Sequence, residues 1–394
     1  MMKTMMENHF DVLIVGAGMV GAAAAVALGQ QGWRVGLVEA KAPAEFDPQQ
    51  PMDLRVSAIS AASERLLAEL DSWPGVLAMR AAPYDTLATW ENPNNEVSFC
   101  ATDLQHDHLG HIVENRVVQL ALWQQVAALD NVELLLGHYP SDLSQDAEHA
   151  RLTLNGQPYR AKLLLGCDGA QSKVRQAAKI GVSGWNYRHH CMLINISTEL
   201  PQQRITWQQF YPSGPRAFLP LVGQQGSLVW YDSPERIAEL KRLPKAELKA
   251  QIQGAFPSRL GEFEVLNCAS FPLTRQHAQH YYCQRMVLLG DSAHTINPLA
   301  GQGVNLGFKD VAALAEVLAG ATPEALASDP APLLAQYQRK RRADNLMMQG
   351  AMDLFYTTFS NDLLPLKLAR NLGFKLAQNA GPIKHQVMRY AMGL

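Results

Sequence analysis

Residues suited to holding a cofactor are concentrated near position 290 of the 394-residue chain. An apolar strand is predicted at 286–289, and it ends abruptly in Gly290 and Asp291, with a polar loop containing His294 behind it. Two glycines at 301 and 303 then begin a helix. A strand end can present a carboxylate to a ribityl or ribose hydroxyl, while glycines and a helix N-terminus bring backbone N–H groups close to a planar ring. The stretch therefore predicts a site for an extended phosphate-bearing cofactor, unless it is an ordinary strand-loop-helix crossover, whose loops use the same residues.

A second signature lies near the N-terminus. The apolar run 11–15 is typical of a strand buried on both faces, and it leads through a GxGxxG into an alanine-rich helix at 22–28. In such a turn the first glycine permits a tight bend, the second admits a pyrophosphate, and the third lets helix and strand pack closely. The next strand, 34–38, ends in Glu39, which can accept ribose hydroxyls of an adenosine and would repel a 2′-phosphate. The candidate cofactor residues in the turn are Gly16, Gly18, Met19, Val20 and Gly21.

A third strand end resembles these two. The apolar strand 161–165 runs into Gly166, Cys167 and Asp168. Parallel α/β sheets bind ligands at the carboxyl ends of their strands, so the three ends can converge on one cofactor. Only the first has the spacing of a phosphate cradle, which predicts one dinucleotide site and no second fold for a nicotinamide nucleotide.

Other cofactor candidates are less specific. Arg55 precedes a predicted helix at 61–70 and can reach a phosphate or a ribityl chain, although a lone arginine is more often a surface or ion-pair residue. Gln119 lies on the first turns of a predicted helix at 117–129. The polar, turn-rich region 130–155 predicts edge hairpins.

Composition bounds the remaining choices. A net charge of -2 and 47% hydrophobic residues indicate a globular chain of about two domains and do not suggest nucleic acid. The five cysteines are scattered without a CxxC, which fits a reducing compartment and neither a disulfide framework nor a zinc site. We find no signal-peptide pattern and no apolar run of about 20 residues. The expectation is a soluble or at most peripheral protein.

The region 181–272 differs in character from its surroundings. Its short aromatic and β-branched runs, broken by proline and glycine, predict an inserted antiparallel sheet. Six aromatic side chains there form a wall for a ring substrate or, as we expect, are divided between such a wall and the core of the sheet. They are Trp207, Phe210, Tyr211, Phe218, Trp230 and Tyr231.

These motifs together resemble those of the class A flavoprotein aromatic hydroxylases. The residues that show this resemblance are GAGMVG with Glu39, the Cys167-Asp168-Gly169 segment, and GDSAH at 290–294 followed by Pro298 and a GQG at 301–303. More narrowly, the runs TWQQF, GPRAFLPL, LVWYDSP and FPSRLG resemble those of the ubiquinone-biosynthesis hydroxylases, and the resemblance extends from about Phe10 to Leu394. The family pattern has alanine at the positions of Cys167 and Ser292, and both replacements are small.

The resemblance implies an α/β fold: a Rossmann-like, GR2-type FAD-binding domain with a mostly parallel sheet, an inserted antiparallel substrate sheet and a helical C-terminal region. It divides the chain into FAD-binding segments at 1–80, 113–180 and 273–330, substrate-domain segments at 81–112 and 181–272, and C-terminal helices at 331–394. FAD is the implied cofactor and no metal is required. The implied cofactor-binding residues beyond the first turn are Glu39, Arg55, Gln119, Asp168, Asp291, Pro298, Gly301, Gly303, Val304 and Asn305.

The implied activity is hydroxylation of a polyprenyl benzoquinol ring with O2, through a flavin hydroperoxide. Because the cofactor carries this chemistry, no catalytic residue is assigned, and His294 and Pro298 remain candidates. His294 is either a general base or a residue that orders its loop. The alternatives are a hydroxylase of a small soluble phenol and a non-catalytic FAD-binding member of a biosynthetic complex. The reductant is NAD(P)H or a protein donor, and a ubiquinone-biosynthesis complex is an expected partner.

The last 32 residues lack acidic side chains and alternate basic with apolar residues. This pattern predicts either helices lying on an anionic membrane surface or helices packed on the protein with a solvated basic face. The expected location is cytoplasmic, with the inner face of the plasma membrane as a peripheral site. The basic residues are Lys367, Arg370, Lys375, Lys384 and Arg389.

Overall fold

A computed structural model describes residues 8–137, 139–297, 301, 303–362, 367, 370–371, 373 and 381–392. The strands form three sheets. In chain order they are β1 (His9–Val15), β2 (Val35–Glu39), β3 (Val56–Ser60), β4 (Ala82–Tyr84), β5 (Thr86–Trp90), β6 (Val97–Cys100), β7 (Gly110–Glu114), β8 (Val132–Leu136), β9 (Ser141–Gln145), β10 (Ala150–Leu154), β11 (Gln157–Gly166), β12 (Val182–Thr198), β13 (Ile205–Gln209), β14 (Arg216–Leu221), β15 (Gln225–Asp232), β16 (Phe263–Ala278), β17 (Tyr282–Cys283), β18 (Met286–Leu288) and β19 (His294–Thr295).

The α-helices vary in length, and the longest, Ala331–Phe359, has 29 residues. Those of the described residues are α1 (Met19–Gln30), α2 (Ala61–Glu69), α3 (Trp73–Met79), α4 (Asn115–Ala128), α5 (Lys173–Ala177), α6 (Pro234–Arg242), α7 (Lys245–Ala255), α8 (Gly303–Leu318), α9 (Pro323–Ser328), α10 (Ala331–Phe359) and α11 (Gly381–Met392). In this part of the chain no helix is both long and apolar enough to cross a membrane.

The first sheet is the mostly parallel one that the sequence predicts. Its order is β17-β18-β11-β1-β2-β8, and the β9-β10 hairpin extends from β11. Val15 of β1 pairs with Gly166 of β11, which in turn pairs with Leu288 of β18. Three carboxyl strand ends therefore lie side by side, because parallel pairing in this register brings them to one edge.

The interpretation of 130–155 as edge hairpins was wrong for its first strand. β8 pairs in parallel with β2, from Val35↔Val132 to Glu39↔Leu136, and so belongs to the main sheet. The remainder, β9 and β10, is a hairpin as predicted. In β8, Val132 and Leu135 are buried while Glu133 and Leu136 are exposed, as its position at the end of the strand order allows.

The second sheet combines strands of the predicted insertion with β5 and β6, from the segment 81–112 that was also expected in the substrate domain, and with β19. Its order is β19-β16-β12-β15-β14-β13-β5-β6. All of its pairs are antiparallel except β13 with β5, where Trp207 lies beside Ala88 in parallel register. β12 and β16 are long strands that pair from Val182↔Ala278 to Thr198↔Phe263. They therefore connect the inserted sheet with the half of the protein that contains the first sheet.

The C-terminal region is packed on the protein over much of its described length. Arg370 is only 7% exposed, and its guanidinium lies 2.6 Å from the Glu91 carboxylate. Lys367 lies 3.0 Å from Asp362. Met388 and Met392 of α11 are buried in a cluster with residues of β4 and β7. Arg370 therefore does not belong to a solvated basic face, contrary to that part of the sequence interpretation, while Lys375 and the side chain of Lys384 lie outside the described residues.

Candidate active site

A cavity of about 590 Å³ lies where the two large sheets meet. One side is formed by the strand ends of the first sheet, including Gly18, Cys167 and Asp291. The other side is formed by the second sheet, including Leu193 and Val229. A polar strand-end region and an apolar chamber are thus continuous, which is the arrangement needed to place a cofactor against an apolar substrate.

The glycine-rich turn after β1 is shaped by close backbone contacts. Gly16 has φ +98°, and a Cβ there would lie 2.6 Å from the Cys167 carbonyl oxygen. A Cβ on Gly21 would lie 1.8 Å from the Gly16 carbonyl oxygen, so the first turn of α1 has room only for glycine at this position. Gly18 has no atom within 4 Å of its Cβ position and lines the cavity with Met19 and Val20. The turn is therefore closed against the protein and open toward a ligand.

Glu39 and Gln119 both contact this turn. One Glu39 carboxylate oxygen accepts a hydrogen bond from Ala17 N at 2.8 Å, and the other accepts from Ala40 N. Gln119 Nε2 donates to the Ala17 carbonyl at 2.8 Å. The strand end of β2 and helix α4 thereby fix the turn, and neither residue lines the cavity. Their contact with a cofactor stays a prediction.

Asp168 caps a helix. Its Oδ2 accepts hydrogen bonds from Lys173 N at 2.7 Å and Val174 N at 3.3 Å, at the start of α5. Its Oδ1 is buried and has no hydrogen-bond partner in the described residues. Arg175 ties this strand end to the next one, because its guanidinium donates to the carbonyls of Ala170 and Ser292. Asp168 itself does not line the cavity, although Cys167 and Gly169 do, so a contact between its unpaired oxygen and a cofactor stays a prediction.

Asp291 and Arg55 both line the cavity, and the positive charge of Arg55 acts to lower the pKa of the Asp291 carboxyl. The Asp291 carboxylate is open to the cavity but lies inside the protein, and this burial raises its pKa, while His294 and Arg55 oppose the rise. A carboxylate so placed gains from hydroxyl donors that replace water. Arg55 supplies positive charge at the same end of the cavity.

The start of α8 forms the remaining wall of the polar end of the cavity, beside the strand ends of the first sheet. Gly301, with φ +65°, Gly303 and Val304 line the cavity. Asn305 points away from it: Asn305 Nδ2 donates to the Ala58 carbonyl at 2.8 Å, and its Oδ1 accepts from Ser60 N at 3.1 Å. Asn305 therefore anchors α8 to β3, and Pro298 lies outside the described residues.

His294 lies 2% exposed behind the cofactor loop and does not line the cavity. Its Nε2 is 2.5 Å from Asp310 Oδ2. The same oxygen accepts from Gly290 N at 3.0 Å. In this arrangement the ring orders its own loop, which is the second of the two roles considered for it.

Asp310 is the functional residue that sequence reasoning did not single out. It is fully buried in α8, and its Oδ1 accepts from Arg341 Nε at 2.8 Å and Asn345 Nδ2 at 3.2 Å. Burial raises its pKa, but His294, Arg341 and the Gly290 N–H outweigh this and lower the pKa to about 2. The sequence did contain one indication of its role, because Asp310 directly precedes Val311 on the apolar face of the predicted helix. An acid there requires buried partners.

The apolar chamber is mostly lined by the second sheet. Of the six aromatic residues considered as a wall, Trp207 and Tyr231 line it. Phe218 and Trp230 pack in the core under α6 and α7. Tyr231 OH donates to Asn297 Oδ1 at 3.1 Å and so links the chamber to the cofactor loop. The wall is therefore a mixture of chamber lining and sheet core.

These features fit FAD. The turn at Gly18 leaves space for a pyrophosphate, Asp168 Oδ1 is an unused buried acceptor, and Asp291 and Arg55 offer a carboxylate and a cation inside the cavity. The N-terminus of α8 adds partial positive charge beside the same space. An acid-bearing strand end, a glycine turn and a helix N-terminus are the donor set that an FAD needs.

Comparison with known proteins agrees with this geometry. The family described as "FAD binding domain" matches residues 9–349. The 3-demethoxyubiquinol 3-hydroxylase of Escherichia coli (strain K12) is 49% identical over 391 residues, covering 99% of this chain and 100% of that protein. The ubiquinone hydroxylase UbiL of Rhodospirillum rubrum is 35% identical, covering 97% of this chain and 89% of that protein.

A solved structure shows the same fold at low sequence identity. The p-nitrophenol 4-monooxygenase PnpA from Pseudomonas putida DLL-E4 superposes with a TM-score of 0.80 at 18% identity, covering 98% of each chain. Similarity at this level shows that the two chains share their arrangement of sheets and helices.

Asp291→Asn is expected to weaken FAD binding by about 10- to 100-fold, because a hydrogen bond to a charged group contributes about 1.5–3 kcal/mol. Flavin fluorescence titration of the apoprotein measures the dissociation constant. Asp142→Asn, in the exposed β9 strand, is the matched control and should bind FAD as the wild type does. Equal affinities for Asp291→Asn and the wild type would contradict the placement of the cofactor.

Asp310→Asn is expected to lower the free energy of unfolding by about 3–5 kcal/mol, because it leaves the buried Arg341 without its buried counter-charge. Denaturant unfolding measures this change. Asp344→Asn is the control, since Asp344 also pairs with Arg341 but is 25% exposed, and its cost should be below about 1 kcal/mol. Similar losses in the two variants would show that Asp310 has no special role.

Proposed function

This chain belongs to the FAD binding domain family, among the FAD-dependent hydroxylases of ubiquinone biosynthesis, and we propose that it hydroxylates the ring of a polyprenylated benzoquinol of the demethoxyubiquinol type. The observation that carries this proposal is one continuous cavity, with a cofactor wall at one end and an apolar chamber at the other. A ring C–H would become C–OH, the second oxygen atom of O2 would leave as water, and a reductant would supply two electrons.

FAD, when bound and reduced, supplies the activation of O2. The chain's own residues bind and orient. Gly18 faces the pyrophosphate space, Asp291 would bind ribityl hydroxyls, and the start of α8 at Gly303 favours negative charge on the reduced ring by about 0.3–2 kcal/mol. The apolar walls exclude water from the place where oxygen is transferred.

The substrate ring would bind between the cofactor wall and the second sheet. Leu193 and Val229 give the second sheet a largely apolar surface there, and Tyr231 and Trp207 border it with only 1% of each residue exposed. A hydroquinone ring fits such a surface, since burying apolar area contributes about 25 cal/mol per Å². The Tyr231–Asn297 hydrogen bond fixes the distance between this wall and the cofactor loop.

The isoprenoid tail would leave the ring toward α11. Tyr84, Leu87, Phe99 and Leu109 line that direction, and Met388 and Met392 close it. Methionines suit this position because their flexible thioethers adapt to the irregular shape of a branched hydrocarbon chain. A small soluble phenol would use none of these contacts, so the chamber favours the prenylated substrate over that alternative.

The remaining partners follow from the same features and from the sequence. Since the chain carries a single GxGxxG, we propose that electrons come from a transiently bound reduced nicotinamide or from a protein donor. Assembly with other biosynthetic enzymes and binding to a membrane surface stay predictions. Burial of Arg370, Met388 and Met392 leaves fewer groups of the C-terminal region free for a membrane than its sequence pattern suggests.

Quinone extraction from cells that lack this protein tests the proposed function. An accumulated demethoxy intermediate, restored to ubiquinone by the wild-type gene but less well by Asp291→Asn, is expected. The purified FAD-loaded enzyme should also incorporate one atom of ¹⁸O2 into a demethoxyubiquinol and none into 4-hydroxybenzoate. Normal ubiquinone in the deletion strain would refute the proposal, and labelling of the phenol alone would favour the second candidate.

The double variant Met388→Ala/Met392→Ala is expected to raise KM for a long-chain demethoxyubiquinol by about tenfold, because truncating two buried methionines removes apolar contact with the tail. A short-chain analogue should keep its wild-type KM. Met347→Ala is the control, since Met347 is 58% exposed on α10. An equal rise in KM for both chain lengths would place the tail elsewhere.

A further inference from the structure

Glu64, His108 and His111 form a compact cluster that does not line the cavity. Glu64 Oε2 lies 2.8 Å from His108 Nε2, and Glu64 Oε1 lies 2.6 Å from His111 Nδ1. The two imidazole rings meet edge to face with centroids 4.6 Å apart. In the described part of the chain this is the one group of three or more such side chains whose ligand atoms all lie within 4.8 Å of one another.

The three side chains are held by anchored backbone. Glu64 lies in the first turn of α2, which starts directly after β3 and is capped by Ser60. His111 lies on β7, opposite Ile59 of β3. The segment carrying His108 is tied to β4, because Leu109 N donates to the Tyr84 carbonyl at 2.8 Å. The donor atoms are therefore positioned before any ligand arrives, which reduces the entropy lost on binding.

We propose that Glu64, His108 and His111 bind one divalent transition-metal ion of the zinc type. Two imidazole nitrogens and one carboxylate oxygen are a ligand set that these ions accept, whereas Mg²⁺ and Ca²⁺ select oxygen ligands. Ligands of a tetrahedral ion with bonds of about 2.0–2.1 Å lie about 3.3 Å apart. Donor pairs now at 2.6 and 2.8 Å need to separate by less than about 1 Å to admit the ion, and the other pairs, all within 4.8 Å, need to shorten by at most about 1.5 Å.

Access and coordination number agree with such a site. The His108 side chain is 32% exposed, while those of Glu64 and His111 are 10% exposed. An ion can therefore reach the cluster from the His108 side, where a water molecule completes four ligands. The two hydrogen bonds to one carboxylate are the contacts that the ion replaces. Because α2, β7 and the segment before it would share one ion, binding would stiffen the wall that carries Tyr84 and Leu109 on its cavity side.

Isothermal titration with ZnSO4 tests the proposal on the full-length, FAD-loaded protein without a histidine tag, after chelator treatment and dialysis. One saturable site per chain is expected. Loss of a ligand should exceed the 10- to 100-fold loss typical of outer-shell partners, so Glu64→Gln, His108→Gln and His111→Gln should each weaken binding by about 100-fold or more. His106→Gln is the matched control, an exposed histidine in the same segment outside the cluster, and should bind zinc as the wild type does.

Titration of the wild-type protein with CoCl2 provides a second measurement that depends on no variant. Visible ligand-field bands of four-coordinate cobalt that vanish on adding ZnSO4, together with a zinc-dependent rise in Tm, support the site. Absence of a saturable site for either ion overturns it. Zinc binding that is unchanged in all three ligand variants, or that is lost equally in His106→Gln, also overturns it.

Discussion

The buried carboxylate of Asp310 is the interaction on which the cofactor half depends. An isolated charge in a protein interior is costly, so this one persists only because four groups converge on it. They come from two parts of the chain: the Gly290 N–H and His294 from the strand end and its loop, and Arg341 and Asn345 from α10. All four contacts with Asp310 are lost if α8 shifts, and the position of α8 is thereby fixed against the end of β18.

Fixing α8 also fixes the shape of the cavity. Its first residues, Gly303 and Val304, line the cofactor wall, while Asn305 holds the same turn to Ala58 of β3. Gly301 lies so close to Ala58 that a Cβ there would approach its backbone nitrogen to 3.0 Å. Loop and helix thus meet β3 at one point. The polar network behind α8 and the close backbone contact in front of it restrict where a flat ring can lie.

What the sequence could predict were features governed by local rules. The strand ends, the GxGxxG turn and the parallel sheet follow from apolar runs and from glycine at positions where a Cβ cannot fit, and the structure has them. Contacts between distant residues were not accessible in the same way. The pairing of β8 with β2, the Arg370–Glu91 ion pair and the packing of Met388 join residues about 100 to 300 positions apart. Nothing in their local sequence specifies the partner, which is why β8 was wrongly expected in a hairpin and the two arrangements of the C-terminal region were both left open.

The first sheet forms the polar end of the cavity and the second sheet forms the apolar chamber, but the two sheets are directly connected. β12 and β16 are paired antiparallel and reach from the insertion to the half of the protein that contains the first sheet. β19, which carries His294, pairs with the end of β16. The loop ordered by Asp310 is therefore an edge of the second sheet, and its residues Thr295 and Ile296 also line the cavity. Tyr231 reaches the same loop through Asn297, from a strand in the middle of that sheet. The second sheet and the polar network around Asp310 therefore hold this loop jointly.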